Sequence, residues 1–382
     1  MTYLDYAAST PIDPRVLDVM TAVYLNHPGN ASSRTHTFGD DCRDIVETSR
    51  KVISAFLGVA SDELIYTSGA TEADNLAIMG LLDYGIKIGK RHIVSTAIEH
   101  KAVLNSLGKA RSLGFEIDLI KPSANGSINV DDVMNAVRDD TLLVSIMHVN
   151  NETGAVQPVE AIGLRLSEMD ESPYFHIDAA QSAGKLVEEI KNTEYDLLSL
   201  SAHKMYGPQG IGALVVKKRK LRHPPLNAIL FGGNQENGLR PGTLPVALIA
   251  GFSQAVKLCK AEWQKDSNDS KLLRDLIEGL LKDSGIKYTI NGACMTYPGI
   301  LNVRFPGVSS EALMIAGKSS FAISNGSACS SQSYSPSYVL KAMGLSDVEA
   351  LESVRISWGR GSIQSDVLSA VSKMISIVKS FQ

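Results

Sequence analysis

Seven short runs of strand-forming residues, most of them separated by helix-patterned stretches, constrain this chain more than any other feature. They fall at residues 63–67, 92–95, 116–120, 142–148, 174–178, 197–201 and 211–216. Parallel strands need a long crossover, so such alternation predicts a mainly parallel sheet covered by helices on both faces. After the loop at 231–245 the pattern changes: helices are expected at 246–263 and 271–283, then short strands near 300–303 and 322–324. That second pattern predicts a smaller α+β domain, with the break near the helix that follows Pro245. The fold class is therefore α/β with a smaller α+β domain.

Composition excludes several classes. The 382 residues are 44% hydrophobic and 20% charged with net charge -4, an ordinary globular balance without the basic field that would draw the whole molecule to nucleic acid or anionic lipid. No apolar run reaches the roughly 20 residues a membrane helix needs, and the first residues lack signal-peptide character, so the expected compartment is the cytoplasm. Cys42, Cys259, Cys294 and Cys329 lie far apart with no CxxC pair, which predicts reduced thiols and no metal site. Cys42, Cys259 and Cys294 read as small buried hydrophobes.

Three segments carry chemistry. In Thr67-Ser68-Gly69-Ala70-Thr71-Glu72 a strand pattern gives way to a small-residue turn and a helix start, where backbone N–H groups and the Thr71 hydroxyl can cradle a phosphate. An ordinary helix cap with an acidic first turn reads the same residues equally well. In His176-Ile177-Asp178-Ala179-Ala180-Gln181 a strand ends in a carboxylate, at the edge of an α/β sheet where ligands bind. A carboxylate there can cap a helix, or pair with a protonated pyridine nitrogen as pyridoxal phosphate (PLP) requires. In Ser201-Ala202-His203-Lys204 a lysine sits between a strand and a Gly/Pro turn, flanked by the donors Ser201 and His203. A single loop lysine is normally a solvated charge, but one held in a partly dry pocket has a depressed pKa and forms Schiff bases. Cys329 lies among small polar residues, 324–333, a setting for a reactive thiol or for a plain linker cysteine.

Taken together, SGATEADN (68–75), IEHKAV (98–103), HVNNETG (148–154), HIDAAQ (176–181), SAHKMYGPQGIGAL (201–214), RPGTLP (240–245), SNGSACSS (324–331) and VRISWGR (354–360) resemble the NifS/IscS-type cysteine desulfurases, from Leu4 almost to the C-terminus. The resemblance implies the fold type I PLP architecture: a large domain at 15–250 built on a seven-stranded sheet, and a small domain from 1–14 and 251–382 that carries the cysteine loop. It implies that Lys204 holds the cofactor, that Asp178 meets the pyridine nitrogen and Gln181 the ring hydroxyl, and that Ala70, Thr71, Ser201 and His203 bind its phosphate. Thr243 would complete the phosphate site across a homodimer interface. His100 would stack on the ring and relay protons, and Asn151 would sit beside cofactor and substrate. Arg355 would clamp the substrate carboxylate, for which a planar guanidinium is better shaped than an ammonium, with Asn30 as a further partner.

On this resemblance the chain converts L-cysteine to L-alanine: Lys204 moves the Cα proton, and Cys329 takes the sulfur as a persulfide for a protein acceptor. Ala202 stands where the family usually has glycine. The chain also ends at Gln382 without the longer tail by which housekeeping members engage the iron-sulfur scaffold, which leaves iron-sulfur assembly, tRNA thiolation and DNA phosphorothioation as destinations. No direct contact with nucleic acid or membrane is expected. A selenocysteine lyase or aminotransferase would share Lys204, Asp178 and Arg355 without needing Cys329, and a non-catalytic scaffold would need none of them.

Overall fold

The computed structural model describes residues 1–292, 295–326 and 335–382. After the short β1 (Thr2–Tyr3) come β2 (Leu64–Thr67), β3 (His92–Thr96), β4 (Glu116–Ile120), β5 (Thr141–Met147), β6 (Tyr174–Asp178), β7 (Leu197–Ser201) and β8 (Gly212–Val216). The last seven form one sheet in the order β2-β8-β7-β6-β5-β3-β4. Only β8 runs against its neighbours, β7 and β2; all other pairs are parallel. The seven expected strands are all present, and the mainly parallel sheet is confirmed.

Burial explains why these segments were readable. Every residue of β5, β7 and β8 is buried, as expected of strands covered on both faces, and their sequences are near-continuous apolar runs. The edge strand β4 is mostly exposed and carries Glu116 and Asp118, charges that discourage edge-to-edge pairing. One apolar cluster includes Val144, Ile177, Leu198 and Val215, and another includes Ile65, Ile93, Leu143 and Leu214, so alternate residues of the strands supply the two.

Beyond the sheet, β9 (Thr289–Asn291), β10 (Ile300–Arg304) and β12 (Ser353–Ser357) form an antiparallel trio, while β11 (Phe321–Ala322) pairs with β1. The strand expected at 322–324 is thus shorter; Ser324 instead makes an isolated bridge to Arg355.

The two helices expected at 246–263 and 271–283 are a single helix, Val246–Asp283. The polar stretch between them contains no glycine or proline, so nothing in the backbone interrupts the helix. Its side chains have partners: Arg360 Nη2 donates to Asp266 at 2.6 Å, and Trp358 Nε1 to the Ser270 carbonyl at 3.0 Å. The first half of this helix packs Ile249, Phe252 and Val256 into the core of the large sheet. The second half packs Leu273, Ile277 and Leu281 against Leu301, Val354 and Trp358. The expected division at residue 250 falls inside the helix. Among the described residues, no helix is long and apolar enough to cross a membrane.

The loop before this helix is anchored by one buried ion pair. Arg50 Nη2 meets Glu236 Oε1 at 2.6 Å, and the other Glu236 oxygen accepts from Tyr66 N at 2.7 Å. Glu236 and Asn237 have φ of 48° and 58°, a left-handed turn held in place by these bonds. Replacing Glu236 by alanine leaves a buried guanidinium without its carboxylate, the Leu64 carbonyl still accepting from Arg50 Nη1, and a strand N–H without an acceptor. Denaturant unfolding of Glu236→Ala is expected to show a loss of about 3–5 kcal/mol.

Candidate active site at the carboxyl edge of the sheet

A cavity of about 330 Å³ opens where β2, β6 and β7 end, and its lining includes most of the residues singled out from sequence: Ala70, Thr71, His100, Asn151, Asp178, Gln181, Ser201, His203, Lys204 and Arg355. Sheet order accounts for the gathering. β2 delivers the turn at Ser68 and Gly69, β6 ends in Asp178, and β7 ends in Ser201 and leads directly to Lys204.

At the end of the cavity formed by the turn after β2, the helix Ala70–Met79 begins with no side-chain cap, so its first N–H groups face the cavity. Glu72 does not point at the ligand space: its carboxylate accepts from Ser68 N at 2.7 Å and from Arg240 Nε at 2.9 Å. The acidic first turn therefore braces the turn and leaves the anion cradle to Gly69, Ala70 and Thr71. Gly212, on the neighbouring β8, has to lack a side chain, since a Cβ there would lie 2.4 Å from the Leu200 carbonyl oxygen and 2.7 Å from Gly69 Cα.

Lys204 Nζ donates to the carbonyls of Ala7 at 2.6 Å and Ala8 at 2.8 Å. These oxygens hold the amine in the cavity. Asp178 is 5% exposed, and its Oδ1 accepts from Ala180 N at 2.9 Å. Burial raises its pKa, against the opposing pull of His100 and Lys204. His100 caps the helix Lys101–Ser112, with Nδ1 accepting from Ala102 N at 3.2 Å, so the neutral ring carries its proton on Nε2. Burial lowers its pKa, and Lys204 and Lys101 lower it further while Asp178 raises it. His203 is pushed down to about 4 by burial and by Lys204, with Nδ1 3.1 Å from Ser9 Oγ.

Arg355, 1% exposed on β12, donates through Nη1 to the Asn151 carbonyl at 2.8 Å and through Nη2 to Asp5 at 2.6 Å. Its Nε and the side-chain oxygen of Asn151 find no hydrogen-bond partner among the described residues. Buried polar atoms of that kind mark a place where a polar ligand belongs. An amine held on two carbonyls, a carboxyl at a strand end, an uncapped helix start and these two unmatched atoms fit PLP with an amino acid beside it.

The structure does not bring two expected residues into this cavity. Asn30 is exposed, its Oδ1 accepting from Ser32 N at 2.9 Å, and Thr243 is exposed in the turn before the long helix. Cys329 and Cys294 lie outside the described residues, whereas Cys42 and Cys259 are buried as expected. Sequence reasoning missed the carbonyls of Ala7 and Ala8, the Arg355 partner Asp5, and two buried acids. Asp74 lines the cavity, and burial together with neighbouring Asp178 raises its pKa well above the carboxylate range. Glu99, just before His100, is buried and pushed up to about 8. The only signal for any of them was position inside a motif already recognised.

Glu99 Oε1 accepts from Thr96 Oγ1 at 2.7 Å and from Met147 N at 2.9 Å, which ties β3 to β5 beneath the cavity. The folded protein therefore keeps Glu99 protonated where the unfolded chain, with pKa about 4.3, would ionise it. Its contribution to stability is complete below about 4.3 and is lost as pH rises through about 8. Thermal melts between those limits should show wild type losing stability relative to Glu99→Gln as pH increases.

Three comparisons bear on this geometry. The aminotransferase class-V family model matches residues 2–369. Cysteine desulfurase IscS of Vibrio cholerae is 44% identical over 373 residues, 96% of this chain and 89% of that protein. Among solved structures, a NifS-like protein superposes with a TM-score of 0.90 at 30% identity over the whole of both chains. DndA from Streptomyces lividans superposes with a TM-score of 0.81 at 40% identity, covering 94% of this chain and 99% of its own.

Proposed function

The chain belongs to the aminotransferase class-V family and, within it, to the PLP-dependent cysteine desulfurases, and from that premise we propose that Lys204 holds the cofactor and Cys329 receives the sulfur of L-cysteine. The observation that carries the assignment is one cavity holding the Lys204 amine, the buried Asp178 carboxyl and the unmatched polar atoms of Asn151 and Arg355. PLP, when bound, would supply the electron sink that lets a Cα proton leave an amino acid.

The remaining work falls to the chain's own residues. Arg355 would present its Nε–H, which has no partner among the described residues, to the substrate carboxylate while Asp5 and the Asn151 carbonyl hold its other nitrogens. Lys204, held by the Ala7 and Ala8 carbonyls, would take the Cα proton. Asp178 would pair with the ring nitrogen of the cofactor and Gln181 with its ring hydroxyl, while Ala70, Thr71, Ser201 and His203 would hold its phosphate. His100 offers its Nε2–H to the substrate side. The Cys329 thiolate forms a bond to the substrate sulfur as the Cβ–S bond breaks, Cβ takes up the equivalent of the proton that the thiol lost, and Lys204 returns a proton to Cα. In sum, L-cysteine and a thiol become L-alanine and a persulfide.

The working unit is a cytoplasmic homodimer in which the partner's Thr243 reaches the phosphate, consistent with the exposure of Thr243 in a single chain. A protein acceptor then takes the outer sulfur towards iron-sulfur assembly, tRNA thiolation or DNA phosphorothioation.

Mass spectrometry after incubation with L-cysteine is expected to find one added sulfur on Cys329 and alanine in solution. Lys204→Ala should lose the near-visible cofactor absorbance and at least about a hundredfold in alanine formation. Cys329→Ala should keep the absorbance and lose the persulfide. Alanine made at the wild-type rate by Cys329→Ala would instead assign the site to a lyase that needs no thiol.

A further inference from the structure

A second buried lysine is wired to the first behind the cavity wall. Lys185 is 9% exposed, and its Nζ lies 3.2 Å from Gln181 Oε1 and 5.1 Å from the centroid of the Tyr297 ring. With its oxygen engaged in this way, the Gln181 amide must point its nitrogen in the other direction, and Nε2 donates to the Ala7 carbonyl at 2.8 Å. One N–H remains for the cavity that Gln181 lines. The Ala7 oxygen also accepts from Lys204 Nζ. Lys185, Gln181, Ala7 and Lys204 therefore form one continuous hydrogen-bonded chain.

Stability alone gives little reason for this lysine. A buried ammonium with one amide acceptor and one aromatic face is only partly compensated, and an apolar side chain of similar length would fill the space at lower cost. Its charged and titratable neighbours are Lys204 and His203 after β7, Arg355 on β12, Cys259 on the long helix and the Tyr297 ring. Burial pushes the Cys259 thiol up to about 12 and also raises the Tyr297 hydroxyl, so both stay neutral. Burial first, and then the cations Lys204 and Arg355, bring Lys185 down to about 7. An anionic ring oxygen in front of Gln181 would draw the ammonium form back.

We propose that Lys185 is a positioning residue for the cofactor: it fixes the Gln181 amide with an N–H towards the ring hydroxyl and sets a positive charge behind it that opposes protonation of the Lys204 nitrogen. This rests on the PLP function proposed above and adds a residue that tunes it.

The test is an absorbance titration of the PLP-loaded protein from about pH 6 to about pH 10, comparing wild type with Lys185→Met, Lys185→Arg and Lys185→Gln. Removing the charge in Lys185→Met should raise the midpoint of the near-visible transition by about one unit or more, and Lys185→Arg should restore it. Lys185→Gln keeps a donor without the charge, so it should bind PLP close to wild type yet titrate like Lys185→Met. Circular dichroism confirms that each variant is folded. Equal midpoints in wild type and in folded Lys185→Met or Lys185→Gln would overturn this role for Lys185 alone. Absence of any near-visible band in wild type would overturn the cofactor assignment as well.

Discussion

Burial of the Asp178 carboxyl at the end of β6 is the constraint around which the site is arranged. A carboxyl taken out of water favours its neutral form unless a cation stands close by, and His100 and Lys204 act on it in that sense. Two further acids, Asp74 and Glu99, lie in the same dry region with raised pKa values, so the carboxyl edge of the sheet is rich in protons before any ligand arrives. A cationic ring nitrogen placed against Asp178 would draw that carboxyl to its charged form. The polar skeleton of the site is thus complementary to a specific kind of guest.

The sheet was legible because its strands are either wholly buried and apolar or edged with charge, and both patterns survive in a single sequence. The single long helix was not, because residues 264–270 are polar enough to read as a linker. What continues the helix is contact with Arg360 and Trp358, nearly a hundred residues later. Lys204 and Asp178 were legible because each sits at a strand end, where an α/β sheet places its ligands.

The N-terminal segment shows what a linear reading leaves out. Leu4 to Ala8 carries a recognisable motif, but its work is done by backbone carbonyls and by one carboxylate. Ala7 and Ala8 receive the Lys204 amine, and Asp5 receives Arg355. A carbonyl has no residue identity, so no side-chain pattern announces it. Asn30 and Thr243 were legible as motif members, yet a single chain leaves them exposed and apart from the cavity.

The helix Val246–Asp283 has a mechanical meaning as well. At about 1.5 Å per residue its 38 residues span about 57 Å, and each half is sunk in a different apolar cluster. Lys204 stands on the sheet against the first cluster and Arg355 on a strand against the second, so one rod sets the gap between them. The pair works as a caliper with fixed jaws. In the proposed function, amino acids would be gauged by the span from carboxylate to amine, which is common to all α-amino acids, and selection among them would fall to whatever meets the side chain.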